Sequence, residues 1–354
     1  MVPFSAYRFL VATNLHKLSP EEINFLEFKR CLHVPSRTYL DEFCHQYFRC
    51  VHPFLPVVNE AAFWRAYHGD HDFENLCDSS PRFPLIVLQA MLFTSCSFVR
   101  LETLNILGFA SVKEARRAMY ERAKMLHNIG TERSRLHLAQ SALLLSHWTP
   151  SFEEITTTRP NMAWLRIAIE NARLIRAHQW KTAAVETQRQ QEQPEPPDDA
   201  CFRRLWACCI VRDCTAAISL RRCCQMTTSD TVSDKMLPLI FDDLMVEVHR
   251  SRVYDPVTKT KLIETFLELT DMCTHLTDIS ALLFPPEDGI PKSPKPNFQM
   301  QGIARITDCK TTLDDWHANT IQSGPSNINA SPPGEGAGIH SSVTFFISLR
   351  NIYF

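Results

Sequence analysis

Several groups of residues in this sequence could do chemistry, and each needs a particular spacing to do it. Cys44, His45, Cys50 and His52 are competent zinc ligands that stand close together. Structural zinc uses C-x2-C or H-x3-H pairs, which bring two ligands to one side of a turn, and this set has neither. Cys44 and Val51 share the apolar face of a predicted helix, so the spacing predicts core packing rather than a metal. Cys208-Cys209, Cys214 and Cys223-Cys224 also lack a C-x2-C pair, and neighbouring cysteines on a helix point about 100° apart. Asp242, Asp243 and Glu247 could hold magnesium against a diphosphate, as paired acids do in some all-helical enzymes. That chemistry needs a second metal motif further on, and none follows. The local pattern predicts instead a loop-to-helix turn capped by Asp242. No G-x-S-x-G elbow surrounds a serine, Ser146 and His147 face different directions as helix neighbours, and no glycine-rich phosphate loop is present. The residues predict no catalytic and no metal site.

What remains is a set of arginines on one segment, Phe202 to Arg222. Leu205, Trp206, Cys209, Ile210, Cys214, Ala217, Ile218 and Leu220 recur there at helical spacing and leave almost no polar face. Such a helix must be covered by others, and it is expected to be the centre of the fold. Arg212 and Asp213 at its middle exclude a membrane span, which needs ~20 apolar residues. Arg203 and Arg204 are expected to begin the helix in solvent, and Arg221 and Arg222 to suit its negative end. A sharper expectation is that Arg212 and Asp213 form a buried pair that fixes the register of neighbouring helices.

The elements around this segment read as helices. Ser19-Pro20-Glu21-Glu22 is a helix start, with a capping hydroxyl, a proline and two acids, and the helix is expected to run to about Leu32. A second helix begins after Pro35 and must stop before Pro53, with His52 to Val58 extended. Further helices are predicted at 61–68, 85–99, 111–130 from the Ser111 capping box, 136–148 and 160–178. Asp255-Pro256 starts the clearest amphipathic helix, through Leu262, Phe266, Leu269, Cys273 and Leu276. A last helix is predicted at 303–320. Loops are read at 181–199 and 285–298, where glutamine, acids and prolines dominate. Residues 1–18 and 321–354 are expected to be flexible.

The totals agree with an all-α chain. Glycine is scarce, at nine of 354 residues, and the apolar stretches run past strand length. The pattern predicts one large all-α domain of about ten helices packed around residues 202–222. Net charge is −2, with basic residues only as doublets, so the chain carries no electrostatic footprint for DNA and no clear nuclear import run. Thirteen cysteines lie mostly in apolar helical stretches and are expected to be free thiols.

Four strings in order resemble a known family. They are Tyr47 to Val57 with its His52-Pro53, Leu88 to Phe93, Arg203-Arg204-Leu205-Trp206 followed by Val211-Arg212-Asp213, and Ser251 to Pro256 with Lys259. Together they resemble the regulatory or middle domain of the fungal zinc-cluster transcription factors, closest in flavour to regulators of the cutinase transcription factor type. The resemblance spans about Leu18 to Asp288. It implies a regulatory domain controlling RNA polymerase II transcription in the nucleus. Its partners would be the transcription machinery or related regulators, with a small-molecule effector as a further candidate and no membrane.

In that family a binuclear zinc cluster held by six cysteines in C-x2-C-x6-C halves makes the DNA contacts. No such spacing occurs here, so zinc and DNA contact are expected only from a cluster upstream of these residues. The apolar end at Phe354 is read as a truncated C-terminus. Where the family's central helix continues into Gly-Arg-Pro, this chain has Leu220-Arg221-Arg222-Cys223-Cys224. The alternatives are a stand-alone interaction protein without DNA binding and, more remotely, an all-α diphosphate-processing enzyme.

Overall fold

The computed structural model describes residues 1–69, 82–149, 160–178, 199–227 and 238–284, together with 307, 308, 310, 311 and 314. Among these residues are eleven α-helices, and the only strands are four two-residue segments, so the chain is all-α as its periodicity predicts.

Capping chemistry sets the helix starts. In α1 (Pro20–Phe28) the Glu22 amide donates to Ser19 Oγ at 3.2 Å while the Glu22 carboxylate accepts from the Ser19 amide at 2.8 Å. The helix stops short of Leu32 because Arg30 turns left-handed, with φ 57°. This frees β3 (His33–Val34) to pair antiparallel with β1 (Val2–Pro3). Residues 1–18, read as a flexible lead, thus run along the domain: β2 (Leu10–Val11) pairs in parallel with β4 (Phe83–Pro84), and the Tyr7 hydroxyl donates to Pro35 O at 2.9 Å.

The next helix, α2 (Arg37–Gln46), passes into a π-helical turn, Tyr47–Val51, in which the His52 amide donates to Tyr47 O at 3.0 Å. Pro53 ends it, as proline must. Rather than extending at once, the chain turns again through His52–Phe54, where the Leu55 amide donates to Val51 O at 3.1 Å. It opens out only at Leu55–Val57.

The helical layers follow. Asn59 caps α3 (Glu60–His68), and Gly69 closes it at φ 66°. Every residue of α4 (Leu85–Ser95) is buried, and it packs on α6 (Val112–Ile129) and α7 (Arg135–Leu145), with α5 (Leu101–Ile106) at the edge. Then α8 (Pro160–Leu174) packs along α7. The central helix α9 runs Asp199–Leu220, displaced a few residues from the predicted 202–222. Arg221 closes it at φ 51°, and the Arg222 amide returns to Ala217 O at 2.9 Å. Helices α7, α8 and the long α11 (Pro256–Leu283) surround it, with α10 (Met245–Arg250) leading into α11.

Asp255 caps α11, accepting from the amides of Val257 and Thr258 at 3.0 Å each. One hydrophobic cluster runs from Phe9 to Cys273. The predicted loop 285–298 and the tail 321–354 lie outside the described residues, as does the loop 181–199 apart from Asp199, which begins α9. The helix predicted at 303–320 is described at only five positions. No described helix is long and apolar enough to cross a membrane.

Candidate functional site

The arginines of α9 do not begin it in solvent. Arg203 lays its guanidinium across both carboxylate oxygens of Asp243, with Nε to Oδ2 at 2.8 Å. Arg204 is 1% exposed and donates to Val58 O at 3.2 Å, to Asp243 O at 3.4 Å and to Glu247 Oε1. The correction has a simple cause. The turn at Phe241–Asp243 and α10 fold back over the start of α9, and their acids supply the counter-charge that burial requires. Asp243 is therefore held by Arg203, and its Oδ2 also accepts from the Ile240 amide at 3.1 Å.

Five ionisable groups, Arg204 among them, meet here from five places in the chain. Lys259, on the first turns of α11, donates to Glu60 Oε2 at 2.6 Å, stands 3.1 Å from Glu247 Oε2 and lies 3.4 Å from His52 Nδ1. Glu60, at the start of α3, also accepts from Trp64 Nε1 at 3.1 Å and from the Ser251 hydroxyl at 2.8 Å. Its own amide donates to Glu247 Oε1 at 3.0 Å. His52 Nε2 lies 2.8 Å from Val58 O, so the network assigns the proton to Nε2 and leaves the Nδ1 lone pair facing the ammonium.

All five side chains are essentially inaccessible to water. Burial and then Lys259 drive His52 down to about 4, so it is neutral at physiological pH. Burial pushes Glu247 up, but the Arg204 guanidinium and the Lys259 ammonium outweigh it and the carboxyl is held at about 2. Two cations, two anions and a neutral imidazole give a centre of zero net charge.

His52, Glu60 and Glu247 present ligand atoms within 4.8 Å of one another, the geometry of a metal-binding set. The Lys259 ammonium stands within hydrogen-bonding reach of all three. The set is thus charge-balanced by the chain itself. A narrow cleft adjoins it, walled by Pro53, Pro56, Leu244, Leu262, Ile263 and Phe266, with room for about one water molecule.

The other predicted residues take separate posts. Arg212 and Asp213 form no salt bridge with each other, because successive helix residues diverge. Arg212 donates from Nε to Ser146 Oγ at 2.9 Å and from Nη2 to Ser146 O at 2.7 Å, at the C-terminal end of α7. Asp213 points the other way and accepts from the Met226 amide at 2.7 Å, while its Oδ1 is buried without a partner. Burial raises its carboxyl to about 6. Trp206 is buried, with its ring 5.2 Å from that of His178. Pro53 ends the π turn and walls the cleft.

Cys44, His45, Cys50 and His52 do not converge on one point. Cys44 is buried in the core, Cys50 donates weakly to Gln46 Oε1 at 3.6 Å, and His45 packs on Trp64 with centroids 5.3 Å apart. Every described cysteine is a free thiol. The spacing of the described cysteines does not fit a C-x2-C-x6-C zinc cluster.

The sequence does not single out Glu60, and it offers Glu247 only as a magnesium ligand and not as the counter-charge of Arg204. Each belongs to a short polar string that looks solvated, and only the return of α10 onto α3 buries them.

The described residues define a class: an all-helical domain with a charge-neutral network buried at its centre. The model of the fungal specific transcription factor domain matches residues 44–318, well over half of the chain, and the chain belongs to that family. A protein named transcription factor in Fusarium pseudograminearum is 25% identical over 72% of this chain and 27% of its own length. Cutinase transcription factor 1 beta of Fusarium vanettenii is 25% identical over 58% of this chain and 21% of its own. The acetamidase regulatory protein of Emericella nidulans is 26% identical over 60% of this chain and 23% of its own. The chain thus matches about a quarter of the length of these relatives. No solved structure matches it.

Proposed function

We propose that this chain is the regulatory domain of a fungal transcription factor, acting in the nucleus on transcription by RNA polymerase II, with DNA contact made by a zinc cluster outside these residues. The observation that carries the reading is the family match over residues 44–318, which includes every member of the buried centre. Three of the four strings that mark the resemblance meet in that centre: His52-Pro53 from one, Arg203-Arg204 from another, Ser251 and Lys259 from the last. Such a domain needs no catalytic residue. It works by presenting surfaces and by holding one arrangement of helices until a partner or effector favours another.

Fusing residues 1–354 to a heterologous DNA-binding head upstream of a fungal reporter tests it. The fusion is expected to change reporter output relative to the head alone. Glu247→Gln, which unpairs Arg204, is expected to alter that change at equal protein level. Output identical to the head alone would overturn the reading.

A further inference from the structure

Away from the ionic centre, three cysteines that the sequence scatters over α9, the turn after it and α11 come together. Asp213 in α9 accepts from the Met226 amide at 2.7 Å, which lays the turn back against the end of α9. The Cys224 amide donates to Ser280 Oγ at 3.1 Å, and Ser280 Oγ donates to Arg222 O at 3.2 Å, so the same turn is also bonded to α11. Cys273 lies two turns before Ser280 on that helix, a spacing that puts both on one face, and α11 packs along α9. Cys214 is thereby set against both other cysteines. Its thiol shares side-chain hydrogen bonding with Cys224 and with Cys273. All three side chains are buried, and the neighbouring Cys223 is half-buried, which gives the cluster an entrance.

The electrostatics of the cluster select its ligand. The hydrogen bond with Cys224 lowers the Cys214 thiol, but the bond with Cys273 and burial outweigh it. The hydrogen bond with Cys214 and burial raise Cys224, and the charge of Asp213 pushes both thiols further up. Both are therefore protonated at neutral pH. Zinc and copper bind thiolates, and several thiolates beside a buried carboxylate would concentrate anions in a dry place. A ligand that exchanges oxygen for sulfur without changing charge meets no such cost. Arsenous acid is such a ligand, since it is neutral and each of its As–OH groups condenses with an S–H.

We propose that Cys214, Cys224 and Cys273 form a binding site for trivalent arsenic. Three S–H and three As–O bonds break, three As–S bonds form, and the thiol hydrogens leave in three water molecules. Arsenic stays trivalent, and neither electrons nor net charge are transferred. The product ties α9, the turn after it and α11 to one atom. This site is distinct from the ionic centre and does not depend on the transcriptional reading.

The test uses the full reduced chain in excess glutathione, a monothiol that strips arsenic from single cysteines but not from a cluster of them. Bound arsenic is measured by elemental mass spectrometry after desalting. Two probes separate the thiols: arsenite, which takes three, and phenylarsine oxide, which takes two and loses one water. The parent is expected to retain one equivalent of either. Cys224→Ser and Cys273→Ser should each weaken arsenite by about a hundredfold or more yet keep phenylarsine oxide, because Cys214 still has one neighbour. Retention of that probe also shows that both variants are folded. Cys214→Ser removes the thiol common to both contacts and should lose both probes, while Cys223→Ser should lose neither. Alkylation of the parent in urea gives a reading that needs no variant: Cys214 is expected to escape alkylation only in the arsenite-loaded chain. The proposal is overturned if the parent retains no arsenic, if Cys214 is alkylated in the loaded chain, or if Cys214→Ser binds as the parent does. It is also overturned if Cys223→Ser abolishes binding, which would move the site to the adjacent pair Cys223 and Cys224.

Discussion

At the scale of single residues, the buried centre turns ordinary side chains into a matched set. Removing one member leaves the others charged and dry. Lys259→Met is expected to cost about 3–5 kcal/mol, and pairing it with Glu60→Gln should recover part of the loss, because a buried charge without its partner is worse than no pair. Urea unfolding of the single and double variants checks this. Lys259→Ala should also gain a divalent-ion response. Zinc added in slight excess is expected to raise its melting temperature and leave the parent unchanged, since only the variant frees the three ligand atoms of His52, Glu60 and Glu247.

Protonation gives a second residue-scale test. His52 takes its proton at about 4 in the fold and at 6.5 in a free chain, so acidification favours the unfolded state between those values, by roughly 3 kcal/mol in full. Glu247 adds a loss in the same direction as pH falls from its ordinary 4.5 to about 2. Asp213 opposes them. Its carboxyl is raised to about 6 from 3.8, so the fold gains as pH falls through that window and is penalised above it. Asp213→Asn keeps an acceptor for the Met226 amide and removes the charge. It should therefore stabilise the protein by about 1–3 kcal/mol at pH 8, with the gain vanishing near pH 4 in paired denaturation curves.

At the scale of elements, the guanidinium of Arg212 is a pin between helices. It crosses from α9 to the last carbonyls of α7, while Arg116 reaches the His147 carbonyl at 2.7 Å from the other side. Both cations sit where the negative end of α7 favours them. Arg212→Met is expected to lose about 2–3 kcal/mol, and Arg212→Lys to recover less than half, because an ammonium cannot hold Ser146 Oγ and Ser146 O with one planar fork. Thermal melts of the two variants decide it.

Helix positions were legible because caps are local. Ser19, Ser111 and Asp255 announced three starts, and the apolar sweep from Leu205 to Ala217 announced the helix that the others surround. The buried centre was not legible, since His52, Glu60, Arg204, Glu247 and Lys259 lie in five separate stretches and each looks like a solvated polar residue beside its neighbours. The Arg212–Asp213 pairing failed for the converse reason: adjacency in sequence places two side chains on different sides of a helix.

At the scale of the whole molecule, the network and the single hydrophobic cluster join the first helices to the last. Residues 52 and 60 are bonded to residues 247 and 259, and residue 58 to residue 204, so the segment 52–60 cannot open without stranding charges in a late one. Unfolding should accordingly be one transition. Far-ultraviolet circular dichroism and the fluorescence of the six tryptophans, of which Trp64, Trp148, Trp164 and Trp206 lie in the described helical layers, are expected to coincide in guanidinium titrations. Two separated transitions would show that the halves are stabilised independently.

The π turn at Tyr47–Val51 has a consequence for the history of the fold. A turn closed five residues back rather than four is an α-helix that has accepted one additional residue, and that insertion rotates everything after it by about 100°. Here it is the step that aims His52 at Val58 and Lys259. Deleting one residue from 47–51 would restore a regular helix and swing the imidazole out of the centre, leaving the ammonium with two acids and no lone pair. The buried centre is therefore tied to a single codon's worth of length, and a chain lacking that residue must fill the imidazole's place from another element.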